Sequence, residues 1–247
     1  MQQLKQLYRS NYAGENVVTS LTMSNSDWVP QLEYVPNTIT NTFVTSQAVA
    51  IGNGRSRLDF DLSLIANHKG GVLASDKLQS YGCNGLYRDF TPDFLIAIGS
   101  IVDEIAASNY VPANIVYTLA EGVLKYPGKF HLIPQNIHID AGALAAYMAA
   151  FDGHKKVFLL GYDHYHMDAP GNINTVYSDT DHYPSSDDSS NGESFALTLS
   201  TVMRTYSNVE FVRVMPTSAA WHHPKFGPLA NFRQISYQDF VYEADIG

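Results

Sequence analysis

The chain has 247 residues, 45% of them hydrophobic, and a formal charge of −9 from 24 acidic against 15 basic side chains. That length buries the core of one main domain. The acidic balance excludes broad nucleic-acid binding, which needs a basic surface to displace phosphate counterions. Cys83 is the only cysteine, so no disulfide forms within the chain, and redox chemistry is not expected. The opening Met1-Gln2-Gln3-Leu4-Lys5-Gln6 lacks the apolar stretch of a signal peptide. No apolar run has the length of a membrane span, and a cytoplasmic product with no membrane partner is the expectation.

Residues 1–46 are rich in Ser, Thr, Asn and Gln, with Trp28, Tyr34 and Phe43 spaced too irregularly for an amphipathic helix. They read as an extended N-terminal arm that lies across its own core or a neighbouring subunit, which makes a homo-oligomer an expectation. From residue 47 to 247 short apolar strands alternate with helical segments, the pattern of an α/β domain with a mostly parallel, Rossmann-like sheet and helices on both faces. Ala48-Val49-Ala50-Ile51 is the first strand, ending at Gly52-Asn53-Gly54, after which Ser56 caps a helical stretch through Leu58, Leu62 and Ile65. Further strands are expected at 79–83, 94–98, 115–118, 130–133, 156–160 and 209–214, each short and apolar or β-branched. Helices are expected at 100–110, at 141–151 with many alanines for close packing, and around Phe195, Leu199, Val202, Met203 and Tyr206. Residues 168–193 are polar and aperiodic and form a long loop of the kind that serves as a lid or binding loop. The aromatic tail from Pro216 packs somewhere that its pattern does not reveal.

Two glycines directly after a first strand permit a tight turn and let a ligand approach the backbone. The stretch Gly52-Asn53-Gly54-Arg55-Ser56-Arg57 has no third glycine, and no acidic residue stands where a ribose would be held, so NAD is disfavoured and no cofactor is expected. Neither a P-loop nor a Gly-x-Ser-x-Gly elbow is present. Arg55, Arg57 and Arg88 are candidates to hold a single phosphate, against the plain alternative of solvated surface cations. Cys83 reads as a small buried residue rather than a nucleophile. His164 and His166, with Asp163, Asp168, Asp179, Asp181 and His182 nearby, form a pool of metal-ligand types, but a polar loop edge explains them better and no metal site is expected.

Four segments at strand ends carry a resemblance: Ala50-Ile51-Gly52-Asn53-Gly54, Tyr81-Gly82-Cys83-Asn84, Asp140-Ala141-Gly142 and Leu160-Gly161-Tyr162-Asp163-His164-Tyr165. In order and spacing they resemble the bacterial lipooligosaccharide sialyltransferases and the related pterin-diphosphokinase-like proteins. The resemblance implies a nucleotide-sugar ligand of the CMP-sialic acid type and inverting, metal-independent transfer. Asn53, Gly54 and Asn84, following Gly52, would meet that donor, Gly142 would let it approach the backbone, and Asp163 would sit at the floor. Tyr165 and Tyr177 would hydrogen-bond the departing phosphate, and His182 would be the base. Two positions depart from the family pattern, Ala141 in place of a hydroxyl residue and Pro184-Ser185-Ser186 after His182-Tyr183. A looser likeness joins Tyr8-Arg9-Ser10-Asn11-Tyr12 and Asn84-Gly85-Leu86-Tyr87-Arg88-Asp89-Phe90 to proteins of marine tailed phages. It leaves open a second reading, a virion protein with a degenerate site whose arm clasps a partner.

Overall fold

The computed structural model describes residues 3–8, 15–36, 45–66, 77–111, 113–163, 175–183 and 192–247. Eight strands form one sheet: β4 (Gln47–Ile51), β5 (Gln79–Cys83), β6 (Phe94–Ile96), β7 (Ile115–Thr118), β8 (His131–Leu132), β9 (Lys156–Leu160), β10 (Glu210–Met215) and β11 (Phe232–Ser236). Every pairing is parallel and the order is β11-β10-β9-β4-β5-β6-β7-β8. The molecule is therefore α/β, as the alternation of strands and helices implies.

Helices α1 (Ser63–Ala66), α2 (Ile101–Ala107), α3 (Ala120–Lys125), α4 (Ala141–Phe151), α5 (Gly192–Thr205) and α6 (Tyr237–Ala244) accompany the sheet. Side chains alternate across each strand. Ala48, Ala50, Val157 and Leu159 face a layer made by α4 and α5, while Val49, Ile51, Phe158 and Leu160 face α2 and α6. The small alanines of β4 meet a helix that is itself rich in buried alanine at 143, 145, 146, 149 and 150, and two surfaces without bulk pack closely.

Strand order decides where a ligand can enter. From β4 the chain moves outward through β5, β6, β7 and β8, then crosses back by α4 to β9 on the other flank of β4. Connections leave the C-terminal ends of β4 and β9 in opposite directions, which opens a crevice there, the usual ligand position in an open parallel sheet.

Several local expectations are corrected. Ser56 does not cap a helix. The stretch after Gly54 is a 3-10 turn, Arg55–Asp59, with no side-chain cap, and the Ser56 hydroxyl donates to Asp163 instead. α1 follows separately. Residues 94–98 form a strand only to Ile96, and α2 stops at Ala107. The aromatic tail supplies β11 and α6, and buried Arg213 ties its start to the sheet by donating to the carbonyls of Tyr162 (2.9 Å) and Trp221 (2.7 Å). Of the expected long loop, residues 175–183 are described, and they are turns fastened to the domain.

Residues read as an arm include three antiparallel strands, β1 (Gln3–Tyr8), β2 (Glu15–Ser24) and β3 (Asp27–Pro36). Asn25 and Ser26 both take positive φ, 50° and 67°, as a two-residue hairpin turn matched to strand twist requires. Leu21 and Trp28 bury against Ala120 and Leu132. Among the described residues no helix is long and apolar enough to cross a membrane.

Candidate functional site

At the crevice between the ends of β4 and β9 lies an open cavity of about 300 Å³, lined by Gly52, Asn53, Gly54, Cys83, Asn84, Asp140, Ala141, Gly142, Gly161, Tyr162 and Asp163 and roofed in part by Thr175, Ser178, His182 and Tyr183. All four segments that carry the family resemblance, spread over more than a hundred positions, contribute to this one hollow. Of the expected site residues, Gly52, Asn53, Gly54, Asn84, Gly142, Asp163 and His182 line it. Tyr165 lies outside the described residues, as do His164, His166 and Asp168.

The glycines serve the protein's own chain. A Cβ on Gly52 would overlap the Gly161 carbonyl oxygen, and one on Gly54 would lie 2.6 Å from both that oxygen and Asp163 Cγ. The Gly54 N–H donates to Gly161 O at 2.9 Å, and Gly161 itself holds φ at +72°. Glycine is therefore needed here for strand ends to touch, rather than for a ligand to approach. Gly142 is similar: a Cβ there would stand 3.2 Å from the Phe195 ring. Asp163 accepts from the Ser56 N–H at 2.8 Å and from the Ser56 hydroxyl, so both carboxylate oxygens hold the turn after β4 in place.

The two asparagines are partly occupied as well. Asn84 takes a left-handed φ of 44°, which Asn tolerates, and its Oδ1 accepts the Ile98 N–H at 2.9 Å, tying the end of β5 to that of β6. Asn53 donates through Nδ2 to Cys83 O (3.2 Å) and to Tyr183 Oη (3.3 Å), and its Oδ1 is buried without a hydrogen bond. Cys83 is buried and its thiol is pushed up to about 12 by that burial. It remains a thiol, not a nucleophile.

Tyr177 is not in the cavity. Its hydroxyl donates to Asp89 Oδ1 at 2.6 Å and accepts from Arg57 Nη2 at 2.7 Å. The guanidinium groups of Arg57 and Arg88 both lie against its ring, 5.5 and 5.6 Å from the centroid. Arg57 and Arg88, read as phosphate candidates, are instead spent on Asp89 and Glu104. Together with the Val176 N–H donating to Asn53 O at 2.7 Å, this clamp presses residues 175–183 over the pocket.

Among the described residues two tyrosines line the pocket: Tyr162, whose hydroxyl donates to Gly142 O at 2.7 Å, and Tyr183. For Tyr183 the partners are donors. Its Oη accepts from the Gly85 N–H (2.9 Å) and from Asn53 Nδ2. Burial raises its pKa well above the ordinary phenol value, so it keeps a proton. Nothing in its spacing distinguishes it from Tyr177 in the sequence. His182, beside it, holds φ at 67°, with Nδ1 2.8 Å from Ser100 Oγ and Nε2 3.3 Å from Glu104 Oε2. Among the described residues no three His, Cys, Asp or Glu side chains gather as a metal site.

A further donor set lies at the start of α4. Asp140 occupies the position that normally caps a helix, yet its side chain makes no capping bond; Oδ2 accepts from Thr198 Oγ1 at 2.9 Å. The first-turn N–H groups of α4, which have no partner inside a helix, are thus left open at Ala141 and Gly142 on the pocket wall.

No family model and no curated protein matches the chain. Among solved structures, a variant of the sialyltransferase CST-II, crystallised in complex with CMP, is similar over 81% of this chain and 99% of its own, at 12% identity and a TM-score of 0.47.

Proposed function

We propose that the crevice binds a nucleotide sugar of the CMP-sialic acid type and that the protein is a glycosyltransferase-like donor-binding protein. The observation that carries this reading is the convergence of the four resemblance segments on a single cavity at the switch point of a parallel sheet. Among the described residues the cavity wall has no lysine or arginine, so a phosphate there is held by neutral donors: the open N-terminus of α4, whose dipole favours an anion, the Tyr183 hydroxyl and the Asn84 amide. Tyr183 takes the part that the resemblance gave to Tyr177. Asn53 Oδ1, buried without a partner, is an acceptor that a ligand amino or hydroxyl group can satisfy after a small rotation of the amide.

Sugar transfer from such a donor, inverting and independent of metal, needs a base for the acceptor. His182 is the one imidazole on the described cavity wall. In this role its Nδ1 exchanges the Ser100 hydroxyl for that of the acceptor.

Calorimetric titration of CMP and cytidine separates phosphate from nucleoside contacts. Tyr183→Phe should weaken CMP by about 10- to 100-fold, the loss of a hydrogen bond to a charged group, with cytidine unchanged. Equal affinity of wild type and Tyr183→Phe for CMP would remove Tyr183 from the phosphate. No binding of CMP to the wild type would remove the donor reading.

A further inference from the structure

Beyond Ile96 the chain turns through Gly99, with φ at +75°, and enters α2 just after Ser100. The turn reads Ile98-Gly99-Ser100-Ile101-Val102, with Ile98 and Val102 where a serine-hydrolase elbow has its two glycines, and it shares only the strand–turn–helix setting of that elbow. Ser100 is exposed, and its side chain makes no capping bond to α2. Its hydroxyl meets His182 Nδ1 at 2.8 Å.

The other side of the His182 ring is equally defined. Nε2 faces Glu104 Oε2 at 3.3 Å, one turn into α2. Arg88 donates to Glu104 through Nε (2.9 Å) and Nη2 (2.6 Å), and the Tyr87 hydroxyl donates to Oε1. Those bonds, Arg88 first, hold the Glu104 carboxyl below the ordinary range, so it faces the imidazole as an anion. A carboxylate at Nε2 favours the tautomer with its proton there and leaves the Nδ1 lone pair to receive the Ser100 O–H. His182 is held with φ at 67°, a backbone state that non-glycine residues adopt at a cost and that concentrates at functional sites.

We propose that Ser100 is an activated nucleophile for acyl transfer from carboxylic esters, with His182 as its base and Glu104 as the group that orients the ring. The ring nitrogens exchange their customary parts, Nδ1 meeting the serine and Nε2 the carboxylate, but a hydroxyl on one and an anion on the other satisfy the same requirement. Ser100 Oγ forms a bond to the ester carbonyl carbon as its proton passes to Nδ1. That proton goes to the alcohol oxygen as the ester C–O bond breaks. Water, its proton taken by Nδ1, then attacks the acyl carbon, the bond from that carbon to Ser100 Oγ breaks, Oγ takes the proton back from Nδ1, and the carboxylic acid leaves. The fitting substrates are O-acyl esters of hydroxylated compounds, because His182 also borders the amide-lined pocket where a polar alcohol part can sit.

This inference does not rest on nucleotide binding. Its test is labelling of the full chain with a fluorophosphonate reagent, followed by peptide mapping. The expected result is one adduct on Ser100, absent in Ser100→Ala, with the labelling rate reduced on the order of 100-fold in His182→Gln. Melting of each variant checks its folding, and mapping of the wild type alone decides the matter if a variant fails to fold. No adduct on Ser100, an adduct only on another serine, or an unchanged rate in folded His182→Gln would overturn it. The CMP titration is unaffected by any of these outcomes.

Discussion

Gly54 stands against Asp163 and the Gly161 carbonyl with no room for a methyl group, each lying 2.6 Å from a Cβ built there. Gly54→Ala should therefore destabilise the fold by about 1–3 kcal/mol through overpacking, read as a lower urea midpoint. The Gly142 position has 3.2 Å to the edge of the Phe195 ring, and Gly142→Ala should cost less in the same measurement. Cys83, with its thiol pushed up to about 12, should resist Ellman's reagent at pH 8 in the folded protein and react fully in urea. Rapid labelling of the native chain would contradict its burial. At this scale the sequence disclosed the glycines and asparagines, since a Gly-rich strand end marks the place where chains or ligands meet. It did not disclose that strand contact is what the glycines serve, because that depends on Gly161, far away in sequence. Tyr177 and Tyr183 look alike in sequence for a related reason: an aperiodic loop has no face, and only the Arg57–Asp89 pair shows which ring turns inward to the clamp.

Helix α2 and the segment 175–183 meet at Glu104, and there electrostatics set a pH dependence. Arg88, by its hydrogen bonds, lowers the Glu104 carboxyl below its ordinary value. Since the folded-state value is depressed, the stabilisation is complete above the unfolded value and is lost as pH falls through the folded one. The stability difference between wild type and Glu104→Gln should accordingly be largest near neutral pH and shrink as pH drops below the ordinary carboxylate range. A constant difference in urea midpoints would show that the Glu104 charge adds nothing. α6 makes a separate case. Ser236 and Asp239 form a reciprocal capping box, and Ser236→Ala should cost about 1 kcal/mol, measured by thermal unfolding. The box is written in the sequence as Ser236 followed three positions later by Asp239, yet β11 before it escaped notice. An edge strand reading Phe-Arg-Gln-Ile-Ser lacks the apolar run by which the inner strands were recognised. The hairpin of β2 and β3 was hidden for its own reason, because its turn is Asn25-Ser26 rather than Asn-Gly, the stronger signal for paired positive φ.

For the molecule as a whole, strand and helix alternation was legible from hydrophobic periodicity, and the inner strands stand close to where that periodicity puts them. Strand order was not, because β4 is flanked by β5 and β9, partners 31 and 109 positions beyond it in the pairing register, and no local pattern encodes that return. Order is what creates the crevice, and the crevice is the central claim: a nucleotide binds where the ends of β4 and β9 part, over the start of α4. The most direct test is a thermal-unfolding series on the wild type with CMP, UDP, GDP, ATP and their sugar conjugates. A ligand at 100 times its dissociation constant adds about 2.7 kcal/mol. CMP and its sialic acid conjugate should raise the melting temperature above the others, and the rise should shrink in Tyr183→Phe. A melting temperature unmoved by every nucleotide would contradict the account.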